Sequence, residues 1–313
     1  MIVQSPWLWV GFIAFVLAML ALDLGVFNRK THVISMKEAG IWTAIWIGLA
    51  LAFNLILYLW QGAEPALQFL TGYLIEKALS VDNLFVFALI FSLFAVPARF
   101  QHRVLFWGVL GALIMRGAFI AVGAALLHSF HWIIYIFGAF LIYTGIKLAL
   151  HKETSIEPDR NPAVRLFRRF FPITNQYHDE HFFVRQAGRL LATPLLLVLV
   201  MVESTDLVFA VDSIPAIFAI TSDPFLVYTS NVFAILGLRS LYFLLAGALD
   251  KFYYLKTALA FILSFVGIKM LISEWVAIPI LLSLAVILTL LTTAIIASVI
   301  RARRMAALTT PLS

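Results

Sequence analysis

The chain has 313 residues, 63% of them hydrophobic and only 12% charged, with a mean hydropathy of +1.01. Soluble domains carry about 25% charged residues, so this composition excludes a globular domain bathed in water. The absence of cysteine excludes disulfides, thiolate metal ligands and dithiol redox chemistry by the chain's own side chains, and a net charge of +6 in so apolar a chain reads as basic loops beside a membrane, not as a nucleic-acid surface.

The opening MIVQSPWLWVGF lacks the basic n-region of a cleaved signal peptide and reads as the start of a span. A helix needs about 20 apolar residues to cross the hydrocarbon core. Taken in chain order, that rule predicts nine spans, at 7–27, 39–60, 66–96, 104–127, 131–150, 190–220, 225–247, 255–273 and 277–300. The connections alternate in charge. Arg29, Lys30 and Lys37 follow the first span, and Glu64 without a basic residue follows the second. Arg99 and Arg103 follow the third, and only His128 and His131 follow the fourth. Segment 151–189 carries seven basic residues, Asp223 follows the sixth span, Lys251 and Lys256 the seventh, Glu274 the eighth, and Arg301, Arg303 and Arg304 close the chain. The positive-inside rule then places the N-terminus outside and the C-terminus in the cytoplasm. Within 151–189, the basic and aromatic stretch Val164–Phe171 predicts an amphipathic interfacial helix. His178 and His181 beside it read as a solvated loop more readily than as a metal site.

Two stretches resemble each other. Glu76-Lys-Ala-Leu-Ser-Val-Asp82-Asn83 and Asp206-Leu-Val-Phe-Ala-Val-Asp212-Ser213 both place an acid six residues before Val-Asp-Asn/Ser. Each is followed by an intramembrane arginine, Arg116 or Arg239, and then by Gly-Ile-Lys at 145–147 or 267–269. Four polar features in one order predict a repeat. The expected organisation is two N-terminal helices (1–65), a first three-helix repeat (66–150), a cytoplasmic loop (151–189), a second three-helix repeat (190–273), and a last helix with a basic tail (274–313). Three spans is an odd number, so the second copy enters from the opposite side. That is the inverted-repeat plan of secondary transporters, with the site where the copies meet near the midplane.

Five carboxylates fall inside the third and sixth spans: Glu76, Asp82, Glu203, Asp206 and Asp212. Each costs roughly 2.5–3.5 kcal/mol at a helix centre. Lys77, Arg116 and Arg239 balance three of them, and the two charges left over would be cancelled by one divalent cation. At 100° per residue Glu203 and Asp206 share a face, whereas a gap of six puts Glu76 and Asp82, or Asp206 and Asp212, about 120° apart. Convergence then calls for breaks. Asp82-Asn83 and Asp212-Ser213 are good N-cap pairs, and Pro215 suits a first turn, so both long spans are expected to be broken helices. Hard oxygen ligands without Cys or mid-span His suit Mn²⁺, Mg²⁺ or Ca²⁺ better than zinc or copper.

GYLIEKALSVDNLFVF (72–87), ESTDLVFAVDSIPAIFAIT (203–221), SNVFAILGLRSLYFLLAG (230–247), DEHFFVR (179–185) and the opening LALDLGVFNRKTHVISMKEA (20–39) resemble the TerC/Alx family of bacterial inner-membrane proteins over nearly the whole chain, and most of all its Alx branch. The resemblance implies a multi-pass inner-membrane protein that exports Mn²⁺, controls cytoplasmic manganese, and has links to alkaline pH and tellurite resistance. It implies Glu76, Asp82, Asn83, Glu203, Asp206, Asp212 and Ser213 as metal-site residues, while Lys77, Arg116 and Arg239 are the charge-balancing partners expected from the charge count alone. The expected partners are a divalent metal ion as transported substrate and the lipid bilayer, with no nucleic acid and no prosthetic group. Proton coupling is expected because carboxylates that release metal can take up protons. No nucleophile–base pair or cofactor motif points to an enzyme. The alternative is a non-transporting metal sensor or redox-linked membrane modulator.

Overall fold

The computed structural model describes residues 6–22, 34–130, 132–150, 161–174, 176–186, 189–246 and 253–309, with side chains to residue 304. Asp23 and the loop residues Arg29, Lys30, Lys152, Arg160 and Lys251 lie outside the described residues.

The N-terminal helices are α1 (Pro6–Leu22) and α2 (Met36–Gln61). α2 begins on a Ser-x-x-Glu pattern in which the Ser35 hydroxyl accepts from the Glu38 amide at 3.2 Å. There follow α3 (Ala63–Leu93), α4 (Ala98–Ser129) and α5 (Ile133–Leu150). The short α6 (Pro162–Phe170) starts at Asn161, whose side chain accepts from the Ala163 and Val164 amides. The remaining helices are α7 (Pro194–Phe218), α8 (Pro224–Leu236), α9 (Leu238–Leu245), α10 (Leu255–Leu271) and α11 (Ile280–Thr309). Proline stands in the first turn of α6, α7 and α8, where its missing N–H would have no helical partner in any case. The chain is thus a helical polytopic membrane protein. Among the described residues, six helical stretches, α8 and α9 together counting as one, are long and apolar enough to cross a bilayer. α3 carries Glu76, Lys77 and Asp82 within its apolar length, and described α1 and α10 have 17 residues each.

Two expectations are corrected. First, α3 runs unbroken through Asp82-Asn83 and α7 through Asp212-Ser213, with Pro215 inside the helix. The excess length is a long helix, 31 residues or about 46 Å for α3, not a break. A break in lipid would strand backbone N–H and C=O groups. Pro215 removes one such bond only, three residues before α7 ends. The interruption lies in the next span instead, at Gly237 between α8 and α9. There the Lys77 ammonium, 3.2 Å away, donates to the Ala234 carbonyl. Second, the segment before α7 is not wholly helical. Strands β1 (Phe183–Gln186) and β2 (Arg189–Ala192) form an antiparallel pair, Phe183 facing Ala192 and Gln186 facing Arg189, so the sixth apolar span begins at Pro194 and not at 190. The strands of this hairpin stay mostly exposed, while the residues that flank them are tied to the helix ends. Thr193 donates to the His181 carbonyl, Tyr177 to the Phe94 carbonyl that ends α3, and Arg103 pairs with Glu180 at 2.7 Å.

The packing of the two helix triplets is reciprocal. α3 lies against α7 and α8, α4 against α7, and α5 against α10. The α5–α10 contact depends on glycines. A Cβ on Gly145 would meet the Ala260 carbonyl at 2.7 Å and the Ser264 nitrogen at 3.1 Å; on Gly267 it would meet the Gly138 carbonyl at 2.7 Å and the Ile142 nitrogen at 3.0 Å. These contacts map onto each other at one offset of 122 residues (267 − 145, 260 − 138, 264 − 142). Small residues of this kind let helix backbones approach closely where lipid provides no hydrophobic drive.

Candidate functional site: an acid cluster around Arg116

Arg116 in α4 is the largest fully buried side chain among the described residues, 1% exposed. An unpaired guanidinium there would be prohibitive, and it is fully engaged. It forms a two-point fork with Asp206 of α7, Nη2 to Oδ1 at 3.0 Å and Nε to Oδ2 at 3.3 Å. Nη1 donates to Glu76 Oε1 of α3, to Ser213 Oγ at 3.1 Å and to Asn231 Oδ1 of α8 at 2.8 Å. Four helices therefore converge on one guanidinium, and the planar fork suits that task where a lysine would not. Glu76 and Asp206 are 0% and 3% exposed and occupy matching places in the two resembling stretches. Ser80 donates to the same Glu76 Oε1 at 3.3 Å, but Glu76 Oε2 is buried without a hydrogen-bond partner.

Beside this cluster lies a cavity of about 80 Å³. Glu76, Asp82 and Asn83 of α3 line it, with Arg116, Thr144 of α5, and Asp212 and Ser213 of α7. Thr144 donates to Asp212 Oδ1 at 3.1 Å. Lys147 is the charged neighbour of Asp212, and Lys256 that of Asp82. At about 30 Å³ per water, a space of about 80 Å³ is large enough for a small ion with one or two waters. Among the described residues no three His, Asp or Glu side chains stand close enough to hold a metal ion as placed.

The structure thus brings five of the seven expected metal-site residues, Glu76, Asp82, Asn83, Asp212 and Ser213, to one cavity. It places the other two elsewhere. Asp206 is taken up by Arg116, and it also lines a separate small cavity with Arg239, Gly108 and Val202. Glu203 faces α4 one turn earlier, where Gly111 has no side chain in its way and where any Cβ would collide with the carboxylate. Among the charge-balancing residues, Arg116 pairs with Glu76 of α3 and also with Asp206 of α7, Arg239 is 8% exposed and lines a small cavity with Asp206, and Lys77 turns away to the Ala234 carbonyl. Sequence reading missed Asn231 and Thr144. Asn231 is completely buried, and its amide also donates to the Val227 carbonyl at 3.1 Å. Its signal was available, since a lone Asn in an apolar span needs a partner.

Comparison with known proteins agrees in one direction. A Myxococcus xanthus protein described as an uncharacterized membrane protein is 57% identical over 301 residues, 96% of this chain and 94% of that one. An Escherichia coli K12 protein named, as a provisional assignment, membrane-bound redox modulator Alx is 52% identical over 298 residues, 92% of this chain and 93% of that one. A Rickettsia bellii membrane protein is 42% identical over 94% of this chain. No solved structure matches the chain. The sequence profile of the integral membrane protein TerC family matches residues 61–306, and the chain belongs to that family.

Proposed function

We propose that this protein exports a divalent cation, Mn²⁺ in the first instance, from the cytoplasm across the bacterial inner membrane in exchange for protons. The observation that carries this reading is the cavity of about 80 Å³ in which Glu76, Asp82 and Asp212 meet three neutral oxygen-bearing side chains, with Glu76 Oε2 buried and unpartnered. A buried carboxylate oxygen without a donor is costly and a ready ligand. Arg116 acts as a positioning residue: it fixes Glu76 through Oε1 and leaves Oε2 without a hydrogen-bond partner. Asp82 and Asp212 lie across α3 and α7, and loading draws their carboxylates in toward Glu76. Asn83, Ser213 and Thr144 complete an all-oxygen set suited to a hard six-coordinate ion. Carboxylates freed of metal take protons, which couples the two flows.

The architecture that goes with this reading has nine spans: α1, α2, α3, α4, α5, α7, α8 with α9, α10 and α11. The N-terminus is outside by the positive-inside rule. The reciprocal helix pairings and the mirrored glycine contacts at one offset support an inverted pair of three-helix repeats. Radioactive-manganese flux in proteoliposomes of the purified protein, with Mg²⁺, Ca²⁺ and Zn²⁺ as competitors and an internal pH dye, tests the proposal. Absence of flux would sink it. It would favour the second reading, a non-transporting membrane modulator, which the name of the relatives supports.

A further inference from the structure

Two of the three carboxylates that line the acid cavity have one oxygen occupied by a protein donor. Glu76 Oε1 accepts from Arg116 and from Ser80, while Oε2 is buried without a hydrogen-bond partner. Asp212 Oδ1 accepts from the Thr144 hydroxyl at 3.1 Å. Given the cation site proposed above, we infer that Thr144 is a specificity-determining residue, which holds Asp212 to one ligand oxygen and thereby disfavours Ca²⁺ against Mn²⁺.

The hydroxyl of Thr144 behaves unlike those of other helical threonines in this chain. Thr43, Thr71, Thr229 and Thr289 each donate to the carbonyl four residues back in their own helix. Thr144 instead spends its single proton across the α5–α7 contact, on a carboxylate of the cavity that it also lines. The next residue, Gly145, brings α5 into backbone contact with α10, so the helix that carries the hydroxyl is held in place. At the offset of 122 residues shared by the glycine contacts, position 144 corresponds to 266, where a buried valine has no hydroxyl to give. The restraint from this position therefore acts on Asp212 and has no counterpart for Asp82. Its consequence follows from coordination chemistry. Ca²⁺ takes about six to eight oxygens at roughly 2.3–2.6 Å and readily uses both oxygens of one carboxylate. Mn²⁺ is satisfied by an octahedral set of six. Turning both Asp212 oxygens to an ion would break the bond from Thr144, a cost that Ca²⁺ meets and that Mn²⁺, bound through one oxygen, avoids. Glu76, held at Oε1, presents one oxygen in the same way, and a cavity of about 80 Å³ leaves little room to make up the number with water.

The test is equilibrium binding to the full-length protein in detergent, with Mn²⁺ read by loss of the free-ion electron paramagnetic resonance signal and Ca²⁺ titrated against it. Thr144→Val keeps the volume, alters no charge and removes the donor. It should lower the preference for Mn²⁺ over Ca²⁺ by about threefold to tenfold, the effect of one hydrogen bond, chiefly through tighter Ca²⁺ binding. Thr144→Ala removes the same donor and should shift the ratio in the same direction, which keeps the test open if the valine is poorly tolerated. Thr144→Ser restores the hydroxyl and should stay within twofold of the parent. A purely structural hydrogen bond would show in the melting curve and leave the ratio alone, and that result overturns the inference. So does a parallel loss of both affinities, which would make Thr144 a simple ligand, and so does a serine variant that behaves like the valine. A parent protein that binds no Mn²⁺ overturns the cation site itself, whereas Mn²⁺ binding with an unmoved ratio overturns the role of Thr144 alone.

Discussion

Replacing Arg116 by methionine removes the one cation that α3, α4, α7 and α8 share. Breaking a buried ion pair by deleting one partner costs about 3–5 kcal/mol, because the remaining charge stays buried. Here two carboxylates, Glu76 and Asp206, are stranded at 0% and 3% exposure, along with the Asn231 and Ser213 oxygens. The expected loss is at the upper end of that range, softened where a proton or water enters. At about 1.4 kcal/mol per factor of ten, it amounts to roughly a thousandfold in the unfolding equilibrium. The assay is denaturant unfolding of the detergent-solubilised protein, followed by tryptophan fluorescence. Arg116→Lys should fall between the two, since an ammonium satisfies one carboxylate but not the Asp206 fork. The triple variant Arg116→Met, Glu76→Gln, Asp206→Asn should recover most of the loss, since uncharged groups leave no stranded charge. If Arg116→Met unfolds within about 1 kcal/mol of the parent, or the triple variant is as unstable as the single, then charge pairing is not what holds the four helices at this point.

Asp82→Asn and Asp212→Asn should each abolish manganese flux while inserted protein and its melting curve stay near the parent, because both carboxylates face the cavity and neither anchors Arg116; normal flux in either variant would remove that residue from the site. Gly267→Leu should destabilise the protein by about 1–3 kcal/mol, because even a Cβ there would sit 2.7 Å from the Gly138 carbonyl; an unchanged unfolding midpoint would mean α5 and α10 can separate freely. Glu180→Gln should cost less than about 1 kcal/mol, since its pair with Arg103 is about one-third exposed, and a larger loss would show that the hairpin is locked by this contact. His178→Ala with His181→Ala should leave flux intact, because the cavity lining comes from α3, α4, α5, α7 and α10 alone; lost flux would bring the hairpin into the transport path.

Hydropathy and charge alternation carry the membrane class and the location of most spans, because the bilayer imposes a length and a composition that a linear window can read. The acids in α3 and α7 were legible for the same reason: each is too costly in lipid to be incidental. Which acid does what was not legible. Glu76, Asp206 and Asp212 look alike along the chain, yet Arg116 reaches across from α4 and takes Asp206 out of the cavity, while the gap at Gly111 draws Glu203 to another face. Helix caps were misread for a related reason. Asp82-Asn83 and Asp212-Ser213 have capping chemistry, but a cap forms only where the helix ends, and in lipid an unbroken backbone is cheaper than stranded polar groups. The Asp212 and Ser213 side chains turn sideways to Thr144 and Arg116, which lie far off in sequence. Composition and periodicity act locally and along one helix; the pairing of charges across four helices depends on how those helices pack, and only the tertiary structure decides it.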